Sequence, residues 1–315
     1  MKPVFIIIIT SLSISISTGQ MSGFRGPERN GIYNEKGLMK TWPASGPQLL
    51  WEITGIGKGQ SSATVTDDAI YITGRKGEND VLTCLNHSGR KIWEAPPINE
   101  LTNYVNPLLI RNGSHKIIVT WTAHHLIAVN ATNGKLLWKI HCEGLNTEQL
   151  ERRNRVNTPV YRDGFILAAN GYDQVAIKIK INPDGTDPVI IWKNTDLDPH
   201  VGGMVLLGNY IFSSNHITNS KGKWICVDWT TGKTMWITDW YNKGAIISAD
   251  GMLYIIEEKS GHVGLLRTNG QKFDLVSSFQ ITKGDGPYFS HPTINKGRLF
   301  IRHGDYLAVY SIKAN

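Results

Sequence analysis

After residue 47, apolar and polar positions fall into short alternating or continuous apolar runs, with Gly, Asn, Asp or Ser between them. That is the pattern of strands joined by turns. The runs close on an aromatic residue at a regular interval. Trp51, Trp93, Trp138, Trp192, Trp236 and Phe279 lie 42, 45, 54, 44 and 43 residues apart. Three phrases align closely: LTCLNHSGRKIW (82–93), IAVNATNGKLLW (127–138) and ICVDWTTGKTMW (225–236). Each reads as a strand, a Gly-containing turn and a strand ending on Trp. A repeat of 40–50 residues built of strands is the signature of a β-propeller.

The repeats divide into four strands each. The first is 61–65, 69–73, 81–85 and 91–94, and the second is 106–110, 116–121, 125–129 and 136–140. The third is 158–162, 165–169, 176–181 and 189–193, and the fourth is 203–207, 210–214, 223–228 and 234–238. The fifth is 245–249, 253–257, 263–268 and 275–279. The sixth holds only 292–295, 299–302 and 306–311 before the chain ends. Its missing outer strand is supplied by 48–53 (QLLWEI), which has no three strands before it. The expectation is an all-β, six-bladed propeller of four-stranded antiparallel blades, closed by pairing the two ends of the chain, which removes an exposed edge. An open or five-bladed array is the alternative. The recurring Trp residues are expected to pack between neighbouring blades, and the GK and GR turns to use Gly for a positive φ.

Residues 1–19 stand apart from this pattern. Lys2 precedes an apolar, hydroxyl-rich run over 4–18, and small residues Ser17, Thr18 and Gly19 follow. This has the form of a secretory signal and is too short for a membrane span. No Cys follows it for lipid attachment, and no later stretch is long enough to cross a bilayer. The mature chain is therefore expected in the periplasm or outside the cell, with no membrane span. Residues 20–47, with FRGPERNG and WPASGP, read as an N-terminal strap before a 48–315 propeller; Arg25 and Arg29 there read as solvated or packed residues, with reach into a site as the alternative.

Composition changes the picture little. The 315 residues carry a net charge of +7, which favours anionic partners without specificity. The tightest basic cluster, Arg152, Arg153 and Arg155, comes with no nucleic-acid motif, so no nucleic acid is assigned as a partner. The three Cys do not build a disulfide scaffold: Cys84 and Cys226 hold equivalent places in different repeats and read as small core residues, and Cys142 falls in a loop.

Candidate chemistry follows from the direction of the strands. Loops between second and third strands share a face with the loops between blades. Of the ten His residues, His87 and His115 map to the opposite face. His124, His125, His141, His200, His216, His262, His291 and His303 map to the inter-blade face, with Arg75, Trp121, Tyr172, Asp173, Asp198, Trp240, Tyr241, Tyr288 and Asp305. Starts of inner strands bring Gln60, Asn106, Asn157, His200, Lys243 and His291 toward the axis; ends of second strands bring Arg75, His124, Tyr172, His216, Glu258 and His303. The assigned ligand-binding set is Arg75, His124, His125, Arg155, Tyr172, His200, His216, Lys243, His291, His303 and Asp305. A polar, mildly cationic, aromatic-edged set suits a polyhydroxylated or carboxylated small molecule, above all a saccharide; a solvated funnel without a ligand is the bland alternative. His303 and Asp305, in RHGD, form an acid–base pair or a His beside a turn residue, and the sequence leaves both open. No HxH or HExxH spacing is present, and no metal is assigned.

AVNATNGKLLW and CVDWTTGKTMW resemble the tryptophan-docking motif of the pyrroloquinoline-quinone (PQQ) repeat superfamily, roughly AxDxxTGxxxW, with Asn130 where the motif has Asp. FRGPERNGIY, GAIISADGMLYIIEEKSG and SHPTINKGRLFIRHGDYLAVYSIK look like segments of secreted PQQ-binding-like propeller repeat proteins. The resemblance covers nearly all of the mature chain and implies the fold. Quinoprotein dehydrogenases of similar repeats carry adjacent cysteines against the quinone and a calcium held by carboxylates. This chain has neither, nor a CxxCH haem site, so no cofactor is assigned and PQQ-dependent oxidation is set aside. A second relative, the propeller lipoprotein of outer-membrane β-barrel assembly, is a scaffold. It has a lipid-attachment Cys and eight blades that this chain lacks. Three functions remain: a module binding a polar ligand, an enzyme of the sugar lyase or hydrolase type, and a protein–protein scaffold working through inter-blade loops.

Overall fold

The structure is a computed structural model. It describes residues 31–59, 62–65, 69–77, 79–94, 108–112, 114–121, 125–130, 136–141, 156–172 and 174–314. Every regular element among them is a strand. The leader provides β1 (Ile32–Tyr33) and β2 (Gln48–Ile53). Next come β3 (Thr64–Val65), β4 (Ile70–Lys76), β5 (Asn79–Leu85) and β6 (Lys91–Glu94), then β7 (Leu108–Asn112), β8 (His115–Trp121), β9 (His125–Asn130) and β10 (Leu136–His141). They are followed by β11 (Val160–Arg162), β12 (Phe165–Ala168), β13 (Ala176–Lys180) and β14 (Val189–Asn194), and by β15 (Met204–Leu207), β16 (Tyr210–Ser214), β17 (Trp224–Asp228) and β18 (Thr234–Thr238). The last are β19 (Gly244–Ala249), β20 (Met252–Glu257), β21 (His262–Arg267) and β22 (Asp274–Gln280), then β23 (Thr293–Asn295), β24 (Arg298–His303) and β25 (Tyr306–Ser311).

Each consecutive group of four from β3 to β22 forms one antiparallel sheet, and β23, β24 and β25 form another that β2 completes. The first inner strand is shorter than its sequence suggests, Thr64–Val65 instead of 61–65. β2 pairs antiparallel with β25, with Gln48 opposite Ser311 and Ile53 opposite Leu307. Strand β15 lies beside β19, and β23 beside β3. Burial follows position in the sheet. β19 and β20 are buried along their whole length, and outer strands alternate: β14 exposes Val189, Ile190 and Ile191 and buries Trp192. Inner strands therefore read as continuous apolar runs, because both of their faces are covered.

The recurring Trp residues fasten one sheet to the next. Trp51 Nε1 donates to His87 O at 3.0 Å, Trp138 Nε1 to Gly185 O at 2.7 Å, Trp192 Nε1 to Trp229 O at 3.1 Å and Trp236 Nε1 to Asn269 O at 3.0 Å. The turn glycines have a second duty besides positive φ. A Cβ on Gly89 would lie 2.6 Å from the Trp51 ring, and one on Gly232 would lie 2.5 Å from Trp192. The indole thus lies flat against a residue that has no side chain. Trp93 departs from the expected core packing and is 43% exposed. Cys84 and Cys226 are buried and unbridged in different sheets, and burial pushes the Cys226 thiol up to about 12. Cys142 lies outside the described residues.

The described part of the leader begins at Gly31. β1 adds to the inner edge of β19 in parallel, so this sheet has five strands. Beyond it, Glu35 accepts from the backbone N–H groups of Lys296 (2.6 Å) and Gly297 (3.1 Å). Asp250 Oδ2 pairs with Lys40 Nζ at 2.9 Å and accepts from Leu38 N at 3.0 Å. Trp42 is buried edge-on against Phe279, with 5.4 Å between the ring centroids. The Lys40 ammonium, and then the Leu38 N–H, hold the Asp250 carboxyl below its ordinary value of 3.8. A depressed carboxylate stabilises the folded form fully above its unfolded pKa and loses that contribution as pH falls through the lower folded value. The strap is therefore expected to loosen below about pH 4. The check is tryptophan emission on acidification, with Trp42→Phe as reference: a red shift in the parent that is absent in the variant reports the strap, and identical titrations would show that it stays docked.

Candidate functional site

The strand starts and loop ends on one face converge as the topology predicts, but unevenly. Asn157, before β11, pins the turn that leads into β15: its Nδ2 donates to Pro199 O and His200 O, both at 2.6 Å, and its Oδ1 accepts from Gly203 N at 3.1 Å. This turn packs on backbone. A Cβ on Gly202 would lie 1.8 Å from Gly244 O, and one on Gly171 would lie 3.0 Å from the His200 Cα. The His200 ring is thereby aimed at the loop after β12, where Tyr172 holds a positive φ of 68°. A non-glycine residue in that region is held by its surroundings, and such strain gathers at functional sites. Tyr172 Oη and His200 Nε2 are 3.0 Å apart. His216 joins them, with ring centroids 4.9 Å from Tyr172 and 5.2 Å from His200, and its backbone N–H is held by Asp198 Oδ1 at 3.0 Å.

On the other side of His200 lies a buried ion pair. Lys243, just before β19, is fully buried, and Glu258, just after β20, is 4% exposed. Lys243 Nζ contacts Glu258 Oε1 at 3.0 Å and also donates to Thr218 O (2.6 Å) and Lys221 O (3.2 Å). Three donors are thus used on three acceptors. Glu258 Oε2 is left without a hydrogen bond, as is His200 Nδ1, and the two lie 3.8 Å apart. Above them opens a cleft of about 270 Å³ lined by Asn219, Ser220, Asn242, Glu258, Lys259, Gly286, Pro287 and Phe289. The Phe289 ring stands edge-on to His200 at 5.8 Å.

Tyr172, His200, His216 and Lys243, then, come together. His291 lies at their margin: its Nε2 is 2.6 Å from Val201 O and its backbone carbonyl accepts from Ser62 Oγ at 2.7 Å, so it ties three strand starts together. Other assigned residues go elsewhere. His303 does not pair with Asp305. Its ring nitrogens lie 2.8 Å from Lys283 O and 2.6 Å from Gly286 O, and its ring stacks on Tyr288 at 3.6 Å. Asp305 accepts from Gly55 N at 3.2 Å, a turn role. His125 stands edge-on to His141 at 4.7 Å, opposite it on the β9–β10 ladder. Arg75 lies on β4, and only its backbone is described; Gln60, Asn106, His124, Arg152, Arg153, Arg155 and Asp173, with Arg25 and Arg29, lie outside the described residues.

Two further groups carry weight. Glu258 is singled out by the structure as the acceptor at the centre of the cluster; its place at a second-strand end was the only signal for it. Arg302 is 1% exposed and donates to Gly304 O at 2.9 Å and Gly57 O at 2.8 Å; burial brings its guanidinium down to about 10. Among the described residues no three His, Cys, Asp or Glu side chains converge as metal ligands, and the two described cysteines are in separate sheets. This donor set does not fit a quinone held by a cysteine pair and a carboxylate-bound calcium.

Antiparallel four-stranded sheets fastened by Trp on Gly turns define the class, the propellers of PQQ-like repeats. The chain belongs to that family: the family model that matches residues 32–238 is described as outer membrane protein assembly factor BamB. Among solved structures, BamB from Moraxella catarrhalis is 14% identical with a TM-score of 0.50, and the match covers 90% of this chain and 96% of that one. A europium-containing methanol dehydrogenase is 13% identical with a TM-score of 0.41, covering 82% of this chain and 57% of that one. The WD40 domain of Toxoplasma gondii coronin is 8% identical with a TM-score of 0.49, covering 89% and 90%. At such identities the likeness is one of fold alone. No curated protein matches the chain.

Proposed function

We propose that the chain is an exported propeller that binds a polar, carbohydrate-like small molecule on its inter-blade face. In this reading the six sheets close into one ring through the β2–β25 pair, residues 1–19 direct export, and the mature protein works in the periplasm or outside the cell. The observation that carries the reading is the polar cluster of Tyr172, His200, His216, Glu258 and Lys243, all buried except the half-buried Tyr172, with Glu258 in the wall of an open cleft. Buried polar atoms without partners are rare in folded proteins and gather where a ligand completes them. Cleft walls of Asn219, Asn242 and Phe289 add amide groups and one aromatic face, the mixture that a ring of hydroxyls on a C–H framework needs.

A second reading is a protein–protein scaffold, in the sense of the family's description. The exposed run Val189, Ile190 and Ile191 on outer strand β14 favours it, since an apolar sheet edge invites pairing with another chain.

Thermal melting of the mature chain with a saccharide panel separates the two. A ligand at one hundred times its dissociation constant adds about 2.7 kcal/mol. The expected result is stabilisation by at least one saccharide, reduced in Tyr172→Phe and lost in His200→Ala while their unliganded melting temperatures stay near the parent's. Stabilisation that survives both substitutions would remove the site assignment. Silence across the panel, with capture of a partner that Ile190→Lys abolishes, would favour the scaffold.

A further inference from the structure

We propose that His200 and Glu258 are the hydroxyl-recognition point of this cleft and make it select uncharged polyols over acidic sugars. The inference rests on the ligand-binding reading above and names the chemical class of the ligand. His200 is 8% exposed and Glu258 4%. His200 Nδ1 and Glu258 Oε2 have no hydrogen bond and lie 3.8 Å apart, too far for one between them. When Tyr172 donates to Nε2, the proton of the neutral ring sits on Nδ1 and faces the carboxylate. One side of the gap then donates and the other accepts. An alcohol oxygen is the simplest group that answers both, accepting from Nδ1–H and donating to Oε2.

A carboxylate answers neither requirement well. It has no proton for Oε2, and it brings a like charge toward Glu258 in a place with little water. Lys243, the buried cation nearby among the described residues, offers no remedy, because it already serves Thr218 O, Lys221 O and Glu258. Lys259, at the rim, is exposed, so solvent and salt screen it. The site is therefore anion-averse at its floor, although the whole chain carries a net charge of +7. Phe289 lines the cleft with Glu258 and lies edge-on against His200, so a hydroxyl reaches the buried pair only when this ring turns aside.

The test uses the full mature chain at physiological salt on a glycan array that pairs each neutral glycan with the uronic acid of the same linkage. The expected preference for the neutral member is about tenfold or more. Glu258→Gln is expected to narrow the ratio to about threefold or less, and Tyr172→Phe to weaken both members without changing it. Because Glu258→Gln leaves Lys243 buried without its carboxylate, the Lys243→Met/Glu258→Gln pair is measured beside it and should show the same narrowed ratio. Bound glycans with equal affinity for both members, a preference for the uronate, or a ratio untouched in both variants would overturn this inference alone. An array with no bound glycan would instead overturn the saccharide reading on which it stands.

Discussion

Gly202→Ala is expected to be among the most damaging methyl additions at the described glycines. The new Cβ would lie 1.8 Å from Gly244 O and 2.9 Å from Ser214 Oγ. The first neighbour is backbone, and no rotamer relieves it. The carbonyl of Gly202 accepts from Ile246 N at 3.1 Å, so a shift of this turn also breaks a bond to β19. A loss of about 4 kcal/mol is expected, roughly 10 °C in melting temperature. Gly208→Ala is the comparison: its φ is 57°, with nothing within 4 Å of the added atom, and only the left-handed strain of about 1 kcal/mol applies. Equal melting temperatures for the two variants would show that the strand starts are not held by close backbone contact.

Lys243→Met is the second large effect. It removes one member of a pair in which Lys243 is fully buried and Glu258 is 4% exposed, and takes the ammonium from Thr218 O and Lys221 O, which keep only their backbone donors. Stranding a buried charge costs about 3–5 kcal/mol. Adding Glu258→Gln removes the stranded charge, and the double variant is expected to regain about 2 kcal/mol. Urea titrations of the parent, both single variants and the double variant read this directly. If the double variant is as unstable as the sum of the singles, the carbonyl tethers and not the charge pair hold this corner.

How far the sequence could be read differs between fold and site. The spaced Trp residues and their turn glycines announce the sheets, because both residues of each docking contact are strongly restricted: one needs a large flat ring and the other can carry no side chain. The strand at 48–53 and the three-stranded last repeat likewise implied their pairing, since an unmatched strand and an unmatched sheet need one another. Trp93 keeps the pattern and is exposed nonetheless; the equivalent docking turn, 131–135, lies outside the described residues.

The candidate site was legible as a face and not as a cluster. Strand direction placed Tyr172, His200, His216 and Lys243 on one side. It could not tell that Lys243 spends its donors on carbonyls, nor that both ring nitrogens of His303 face Lys283 O and Gly286 O. Backbone acceptors have no residue type, so no sequence pattern marks them. The same holds for Arg302, which looks like a surface cation in RHGD and lies buried against the carbonyls of Gly57 and Gly304. Glu258 was the reverse case: an acidic residue among histidines, whose importance shows only when one of its oxygens is found unoccupied.

The β2–β25 pairing has a bearing on how the chain is made. Gln48 leaves the ribosome long before Ser311, the residue it pairs with. Contacts between distant parts of a chain form slowly. Until the C-terminal strands arrive, β2 waits without a partner and shows water the apolar residues Leu49 and Leu50, which remain partly exposed even when folded. Trp51 waits with them, although its docking turn at His87 is made much earlier. Pairing of β2 with β25 is therefore a late event, after the strands of the intervening sheets have been made.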